Sequence, residues 1–433
     1  MLSPPLRYLV AGLGGYAGSH HEALLALEAA GLARVVAACD PVPAQFAEQA
    51  ARWRFSERGV RIFDDYDVML AECAAQADVV VIPTPISLHA AMHRSAIKAG
   101  LAVYLEKPPT LDPSELDEMI VVERRARIPT VVGFNFIVEP ERLALKARLL
   151  AGEFGVLREV RTLARWPRRA GYFRRNAWAG RLLTDAGRPL LDSCFGNAMA
   201  HYVHNTLHWA GGRAQLDWGE PVEVRAQLAR AHVIDGADTF LVAARTADGV
   251  ALRLAFTHAA AGHSVQRETI VCEDATLVYV VGSHCEITFN DGRTERHALP
   301  PFDPLYSNHL DYQCCLRGEA VRPSTRLADA VPFVNLNALT YVSSRHIADF
   351  VPRRVRWTKA MDPDERRADV EGLDMAMEAF LSEERWLSSD LLCDSCSLRL
   401  GVPDPATLNQ LPELGTVLHA IRAARTSDFA FDL

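Results

Sequence analysis

Four glycines between an apolar run and a helix-like stretch give the first chemical signal in this sequence. The segment from 10 to 21 reads VAGLGGYAGSHH, and it fits the spacing G-x-G-x-x-G/A. The first glycine of such a loop permits a tight turn, the second lets the backbone approach a pyrophosphate, and the small third residue allows a helix to pack closely on a strand. The residues that we expect to contact a dinucleotide here are Gly12, Gly14, Gly15, Tyr16 and Ala17.

An acidic residue stands at the expected distance downstream of this loop. Asp40 ends a predicted strand, Arg34–Asp40. Its carboxylate would accept hydrogen bonds from the ribose hydroxyls and repel a 2′-phosphate, and no arginine follows in Pro41-Val42-Pro43. We therefore predict NAD rather than NADP. Two alternatives remain: Asp40 only begins a turn, or the glycine loop joins a strand to a helix without a nucleotide.

Alternating patterns predict the elements that must position these residues. Strands and helices alternate as far as Phe134, which is typical of a parallel sheet covered on both faces. Beyond Phe136, short strands separated by turns such as Asp248-Gly249 predict hairpins. The fold class is an α/β N-terminal Rossmann domain followed by an α+β domain with a large open, mostly antiparallel sheet. The predicted domains are 1–135 for NAD binding, 136–357 for substrate binding and oligomerisation, and 358–433 as a helical extension.

The composition excludes several classes of protein. The 433 residues carry a net charge of −8, from 54 acidic and 46 basic residues, which disfavours nucleic acid as a partner. Nine scattered cysteines form no regular framework, so we expect reduced thiols and a cytoplasmic location. The sequence shows neither a signal peptide nor an apolar run of membrane-spanning length, so we expect no membrane partner.

The segment from 82 to 110, IPTPISLHAAMHRSAIKAGLAVYLEKPPT, carries a family resemblance. It resembles the Gfo/Idh/MocA family, named after glucose–fructose oxidoreductase, inositol dehydrogenase and a rhizopine-catabolism protein. The matching pieces are Thr84-Pro85, His89, Ala99-Gly100, Glu106-Lys107-Pro108 and, further on, Val132-Gly133-Phe134-Asn135. The likeness covers roughly residues 6 to 350. It implies an oxidoreductase that moves a hydride between nicotinamide and a sugar or polyol hydroxyl.

Ligands of parallel sheets bind at the carboxyl ends of the strands, where Thr84 and Lys107 are predicted to lie. Lys107 is the first catalytic candidate: its ammonium would donate to a substrate hydroxyl oxygen, and burial would lower its pKa. The alternative is a solvated lysine that closes a loop. The resemblance also implies a cis peptide bond before Pro108. Beyond the glycine loop and Asp40, the cofactor contacts expected are Thr84, Pro85, His89, Glu106, Lys107 and Asn135.

The second half of the site departs from the family. Its members carry Asp, three residues and then His at the start of a helix, but here Gly196 is the fourth residue after Asp192. His201 lies further on, four residues after Asn197. Either Asp192 keeps its place and His201 is displaced, or Asn197 replaces the acid. We predict a helix over Asn197–His208, with His201 as the general base. Asp192, the third catalytic candidate, or Asn197 would orient His201 or bind a substrate hydroxyl.

Aromatic and polar side chains around this helix are candidates for sugar recognition, because aromatic faces stack on sugar rings while arginine and asparagine bind hydroxyls or acids. The predicted substrate contacts are Tyr172, Arg174, Asn176, Trp178, Asn197 and His204. In the alternative interpretation the aromatic residues only cap the sheet. We predict no metal, although zinc held by His201, His204 and Asp192 or Cys194 is conceivable. The lone pair Cys393 and Cys396 is a poor zinc signal.

Three functions remain open at this point. The leading hypothesis is an NAD-dependent oxidoreductase in which His201 takes the proton of a carbohydrate hydroxyl with help from Lys107. The second is a glycosidase that oxidises, eliminates and reduces again without net NADH. The third is a nucleotide-binding regulator without catalysis. The family's usual interface, its open sheet, implies a homodimer or homotetramer.

Overall fold

The computed structural model describes residues 4–126, 129–393 and 402–428, and the chain divides into two compact units. Unit 1 comprises Met1–Thr110, Ser114–Arg142 and Phe302–Val331. Unit 2 comprises Leu111–Pro113, Leu143–Pro301 and Pro332–Leu433. The return of the chain to unit 1 at Phe302 falls inside the segment 136–357, which the sequence analysis assigns to the second domain. The predicted domain boundaries stay a prediction.

The elements up to residue 150 alternate between strand and helix. The strands are β1 (Leu6–Ala11), β2 (Ala33–Cys39), β3 (Arg61–Phe63), β4 (Val79–Ile82), β5 (Ala102–Leu105) and β6 (Thr130–Val132). The helices are α1 (Ala17–Ala29), α2 (Ala47–Arg52), α3 (Phe55–Arg58), α4 (Tyr66–Cys73), α5 (Ile86–Lys98), α6 (Pro113–Ala126) and α7 (Pro140–Leu150).

The remaining elements are mostly strands. The next are β7 (Leu157–Arg165), α8 (Ala200–Ala210), β8 (Pro221–Arg230), β9 (Thr239–Thr246), β10 (Ala251–Thr257), β11 (Val265–Cys272), β12 (Ala275–Val280), β13 (His284–Phe289) and β14 (Thr294–Ala298). The chain ends with α9 (Pro304–Leu316), α10 (Val331–Ser344), β15 (Ala348–Asp349), β16 (Val355–Trp357), β17 (Ala368–Val370), α11 (Leu373–Glu383), β18 (Ala406–Thr407) and α12 (Leu414–Asp428).

Unit 1 is built on a six-stranded parallel sheet in the order β3-β2-β1-β4-β5-β6. All four residues of β4 and of β5 are buried, as expected for strands that helices cover on both faces. Tyr8, Leu24 and Leu27 pack in one apolar cluster with Tyr312 from α9. This packing explains why α9 belongs to unit 1 although it is distant in the sequence.

Unit 2 contains a sheet in the order β14-β13-β12-β11-β7-β10-β9-β8-β15, with β18 paired to β8. Most neighbouring strands are antiparallel, and β7–β10 is a parallel pair. Successive residues of β7 face opposite sides. The hydroxyl of Thr162 lies 2.6 Å from that of Thr206 in α8, whereas Leu163 packs in a cluster with Met377 and Phe380 of α11. Helices therefore cover both faces of the central strands.

The predicted fold class is confirmed by these two sheets. The segment 358–433, predicted to be a helical extension, contains the helices α11 and α12 and also the short strands β17 and β18, which the prediction missed. Among the described residues no helix is long and apolar enough to cross a bilayer. The eight cysteines in the described part of the chain are free thiols. Cys396 lies outside the described residues, so the C-x-x-C pair stays unassigned.

Candidate active site

The glycine loop joins β1 to α1, and two of its glycines are required by its geometry. Gly12 has φ +120°, a conformation that L side chains rarely adopt, and a Cβ there would lie 3.1 Å from that of Ala17. A Cβ on Gly14 would lie 2.5 Å from the Phe46 ring. The loop therefore has the compact form that the phosphate-binding pattern predicts.

The start of α1 fits an anionic ligand. Tyr16, at the N-cap, provides no side-chain hydrogen bond to the helix, and the first turn contains no acidic residue. The positive end of the helix dipole is thus left without a protein carboxylate, as a pyrophosphate site requires. Buried His21 stabilises the loop, because its Nε2 lies 3.0 Å from the Gly12 carbonyl oxygen. Burial lowers the pKa of His21 to about 4, so the ring is neutral and Nε2–H donates.

Asp40 directly follows β2 and faces the glycine loop. Its Oδ2 accepts a hydrogen bond from the Leu13 backbone N–H at 3.1 Å, and its Oδ1 accepts one from Val42 N–H at 3.1 Å. The first bond ties the end of β2 to the loop, whereas the second is the turn that the alternative interpretation expects. Asp40 therefore shapes a turn and also holds a carboxylate beside the loop.

Lys107 stands just beyond β5, and its peptide bond to Pro108 is cis, which confirms what the resemblance implied. The preceding residue, Glu106, is buried and accepts a hydrogen bond from the Lys107 backbone N–H at 3.1 Å through Oε2. The Glu106 Oε1 lies 3.1 Å from His20 Nε2, and His20 Nδ1 lies 3.1 Å from His309 Nε2. Glu106 thus anchors the loop that carries Lys107.

His89 contacts two loops at the same edge of the sheet, one after β4 and one after β5. Its ring nitrogens lie 2.8 Å from the carbonyl oxygen of Thr84 and 3.0 Å from that of Pro108. Burial lowers the pKa of His89. The loop that contains Thr84 and Pro85 is thereby tied to the loop after Lys107. Contact of these residues with a cofactor stays a prediction.

Asn135 follows β6 and is buried. Burial raises the pKa of the Tyr16 phenol in the glycine loop, and the Asn135 side chain partly offsets this rise. Phe136, the next residue, has φ +68°. Five of the six strands of unit 1, β3 excepted, are therefore followed by residues that sequence reasoning assigned to the cofactor.

The other predicted site residues, from Tyr172 to His204, lie in unit 2. The helix predicted over Asn197–His208 was wrong at its beginning. A π-helical turn spans Cys194–Ala198, and α8 begins only at Ala200. The Ser193 hydroxyl caps this turn by accepting from Gly196 N–H at 2.9 Å. The spacing of four residues between Asn197 and His201 consequently does not place them on consecutive turns of one α-helix.

Asp192 pairs with Asn197 directly. Its Oδ1 accepts from Asn197 Nδ2 at 2.6 Å and its Oδ2 from Gly180 N–H at 2.7 Å. The two residues that the sequence analysis offered as alternatives are thus hydrogen-bonded to each other. His201 is buried in the first turn of α8. Its catalytic role stays a prediction.

Strong polar contacts hold α8 in place. The Lys146 ammonium donates to the carbonyl oxygens of His208 at 2.5 Å and Trp209 at 3.2 Å, at the negative end of the helix dipole. Buried Glu268 accepts from Asn205 Nδ2 at 3.0 Å and from Trp209 Nε1 at 2.6 Å. The helix that carries His201 is therefore anchored at its end and on its side.

The other two histidines of α8 contact the segment after the helix. His204 Nδ1 accepts from Trp218 Nε1 at 3.3 Å, and His208 Nε2 lies 2.9 Å from the Gln215 carbonyl oxygen. These contacts give both rings a packing role, and the substrate contact predicted for His204 stays a prediction. Among the described residues no group of three or more His, Cys, Asp or Glu side chains is placed to hold a metal ion.

The predicted substrate segment is a loop after β7. The Asn176 side chain accepts from the backbone N–H groups of Trp178 at 3.1 Å and Ala179 at 2.8 Å, so it stabilises a turn. Arg174 forms an ion pair with Asp364. The Tyr172 ring lies 5.8 Å from the ring of His258. None of these contacts was visible in the sequence, because the partners are distant or the turn is irregular.

Two family models match the chain. Residues 6–134 match the oxidoreductase family with an NAD-binding Rossmann fold, and residues 143–278 match the Gfo/Idh/MocA C-terminal domain, together more than half of the chain. The chain is 30% identical over 135 residues to an inositol 2-dehydrogenase of Rhizobium meliloti, covering 31% of this chain and 38% of that protein. It is 29% identical over 202 residues to a D-glucoside 3-dehydrogenase of Escherichia coli, covering 45% of this chain and 54% of that protein.

Solved structures share the fold. The WlbA dehydrogenase from Bordetella pertussis, in complex with NADH and UDP-GlcNAcA, gives a TM-score of 0.64 at 23% identity, covering 79% of this chain and 97% of that one. A levoglucosan dehydrogenase in complex with NADH gives a TM-score of 0.67 at 18% identity, covering 78% and 97%. The match to the curated relatives spans about a third to a half of their length. The two matched models and the fold show that this chain belongs to the Gfo/Idh/MocA oxidoreductase family.

Proposed function

We propose that this protein oxidises a hydroxyl group of a sugar, a polyol or a related carbohydrate with NAD. The observation that carries the proposal is the carboxyl edge of the sheet in unit 1. There the glycine loop, Asp40 and the cis Lys107–Pro108 bond follow the first, second and fifth strands of an NAD-binding family fold. Parallel sheets of this class bind ligands at that edge.

Each part of the edge has a distinct role in the proposal. The glycine loop and the start of α1 hold the pyrophosphate, and Asp40 accepts from the ribose hydroxyls. The loops after β4, β5 and β6, including Asn135, enclose the rest of the dinucleotide. Bound NAD supplies the acceptor for the hydride that leaves the carbinol carbon.

Oxidation also requires that the protein remove the proton of the substrate hydroxyl group. Lys107 would donate a hydrogen bond to the substrate hydroxyl oxygen and stabilise the negative charge that develops on it. His201 would take the proton, a task that suits an imidazole near neutral pH. Asp192, held by Asn197 and Gly180, would position the segment that leads into His201.

Net oxidation is favoured over redox-neutral cleavage, because the relatives described above are named as dehydrogenases. We further propose a cytoplasmic homodimer or homotetramer. The eight free thiols are consistent with a reducing compartment. Since α11 covers part of the sheet in unit 2, the subunit contact would use β12–β14 rather than the central strands. Light scattering on the purified protein would give a single mass of two or four chains; a monomer would refute this part.

Absorbance at 340 nm tests the activity. The protein is mixed with NAD, and separately with NADP, and with neutral sugars, polyols, sugar acids, sugar phosphates and glycosides. We expect a rise with NAD for at least one class, at a kcat/KM about tenfold or more above that with NADP. No rise with any compound would contradict net oxidation, and release of an aglycone without a rise would establish the glycosidase instead.

A further inference from the structure

The loop after β7 contains two pairs of adjacent arginines. Arg168 and Arg169 form the first pair, and Arg174 and Arg175 form the second, with Tyr172 between them. Four guanidinium groups within eight residues repel each other unless something compensates their charge. The structure compensates the two members of each pair in different ways.

One member of each pair stacks on aromatic rings. The Arg168 guanidinium carbon lies 4.0 Å from the Trp166 ring centroid and 4.4 Å from that of Tyr172. The Arg175 guanidinium carbon lies 3.7 Å from the Tyr172 centroid and 5.2 Å from that of Trp178. Trp166, Arg168, Tyr172, Arg175 and Trp178 therefore alternate in one stack, which we call the cation–aromatic ladder.

The other member of each pair contacts a carboxylate. Arg169 forms an ion pair with Glu365, and Arg174 forms one with Asp364. Both carboxylates belong to the C-terminal segment of the same unit. These two cations are therefore neutralised within the protein, including Arg174, which the sequence analysis selected for substrate binding.

The ladder cations have no such partner. Within the described residues neither Arg168 nor Arg175 forms an ion pair with a carboxylate, and the buried Nε of Arg168 has no hydrogen-bond partner. Burial removes water from around the Arg168 charge and thereby lowers the pKa of Arg168. Stacking occupies the faces of a guanidinium and leaves its in-plane N–H groups for acceptors. In Arg175 one of these groups, on Nη1, already donates to the Tyr172 carbonyl oxygen at 2.6 Å, so its other in-plane donors would contact a ligand.

The surrounding groups offset the ladder's charge only in part. Asp192 is close enough for its charge to raise the pKa of Tyr172, but its two oxygens accept hydrogen bonds from Asn197 and Gly180 rather than from Arg168 or Arg175. His258, which packs against Tyr172, has its pKa lowered to about 3 by burial and by Arg168, so it is neutral. A partly buried cation without a counter-ion is costly, and an anionic ligand would compensate it.

We propose that Arg168 and Arg175 bind an anionic group on the carbohydrate substrate, a carboxylate or a phosphate. Guanidinium groups bind both through paired N–H donors, and the stacked rings hold them in a fixed orientation before the ligand arrives. This inference rests on the proposed function and narrows it: the substrate is a sugar acid or a phosphorylated sugar rather than a neutral sugar.

The test compares the ladder arginines with a neighbour that is already neutralised. Arg168→Gln and Arg175→Gln remove a ladder cation, and Arg169→Gln is the matched control. The probes are glucose, glucuronate and glucose 6-phosphate, measured at 340 nm with saturating NAD. We expect kcat/KM of the wild type to be at least about tenfold higher for one of the two anions than for glucose. Each ladder variant should lose most of this preference, mainly through KM, while Arg169→Gln keeps it.

Further measurements distinguish a failure of the anion-binding inference from an unfolded variant and from a failure of the proposed oxidation. Arg168→Lys keeps the charge but not the paired donors, so it should recover only part of the preference, and circular dichroism checks that each variant is folded. If no probe is oxidised, calorimetric titration of the NAD-loaded protein with the same probes still tests the inference. Anion binding that is lost in Arg168→Gln but kept in Arg169→Gln would support it without the activity. Equal affinity for glucose and both anions, or no binding of either anion, would overturn it.

Discussion

The two groups of predicted site residues, one in each unit, are positioned in different ways. In unit 1 the residues assigned to the cofactor follow successive strands of one parallel sheet, so local sequence and strand order place them at one edge. In unit 2 the residues between Trp166 and His201 lie in irregular segments, and their partners come from distant parts of the chain, such as Asp364. Repeated strand–helix units therefore position the predicted cofactor residues through local sequence, whereas the predicted substrate residues depend on tertiary contacts.

Among the substitutions that distinguish the two groups of residues, replacement of Lys107 should have the largest effect on kcat/KM. We expect Lys107→Ala to lower kcat/KM by about a thousandfold, since general acid–base catalysis typically contributes 10²- to 10⁴-fold. The Kd for NAD, measured by fluorescence titration, should change by no more than about threefold. Exposed Lys98 in α5 provides a matched control, Lys98→Ala, which should keep full activity. Retention of more than about a tenth of the activity in Lys107→Ala would refute the catalytic role.

A side chain at Gly14 should damage nucleotide binding in unit 1. In Gly14→Val the new Cβ would overlap the Phe46 ring, so the loop or the ring must move. We expect the Kd for NAD to rise by at least about tenfold, equal to about 1.4 kcal/mol. Gly18→Ala is the control, because its Cβ would meet Trp53 at an ordinary 3.6 Å. Equal affinities in the two variants would contradict the loop assignment.

Asp40 should control the choice between the two nicotinamide cofactors. Asp40→Ala removes the carboxylate that would accept from the ribose and repel a 2′-phosphate. We expect roughly tenfold weaker binding of NAD and a smaller ratio between the Kd values for NADP and NAD. Fluorescence titration of both nucleotides measures this. An unchanged ratio would favour the alternative in which Asp40 only shapes a turn.

Acid should lower the free energy of unfolding of both units, because each contains a buried neutral histidine. This is the smallest of the predicted effects. The pKa of His21 in unit 1 is lowered to about 4 and that of His258 in unit 2 to about 3, mainly by burial. Because the unfolded chain binds protons first, near pH 6.5, the stabilisation is complete above that pH and falls as the pH drops toward the folded pKa. Each histidine should lower the free energy of unfolding by about 1 kcal/mol when the pH falls from 6.5 to 5.5.

Urea unfolding at several pH values measures this loss. His21→Gln and His258→Gln keep a side-chain N–H donor but do not titrate in this range. Each variant should show a shallower decline of the free energy of unfolding with acid than the wild type. A decline of the same slope in both variants would show that other groups cause the acid sensitivity.

Much of unit 1 could be predicted from the sequence. The glycine loop and the apolar runs of β1, β4 and β5 are local patterns, and the cis bond at Lys107 was implied by a contiguous family motif. The sequence did not reveal His309, because it reaches His20 only through the return of α9 to unit 1. The packing role of His21 was also missed, since the residue type of a histidine in a helix gives no sign of its partner.

Less of unit 2 could be predicted. The helix that carries His201 was expected to begin at Asn197, but a π-helical turn precedes it, and helical spacing alone does not reveal such a turn. Arg174 was chosen for substrate binding by its type and its aromatic neighbours. Its ion pair with Asp364 depends on a segment almost two hundred residues away, which no local pattern predicts.

The role of His201 as general base is the central claim of the proposed mechanism, and one paired measurement tests it most directly. The rate at 340 nm and the Kd for NAD are determined for the wild type and for His201→Ala. We predict that the rate falls at least about a hundredfold, as expected for loss of a general base, while the Kd for NAD stays within about threefold. A His201→Ala protein that oxidises its substrate at the wild-type rate would contradict this account and leave proton removal to another group.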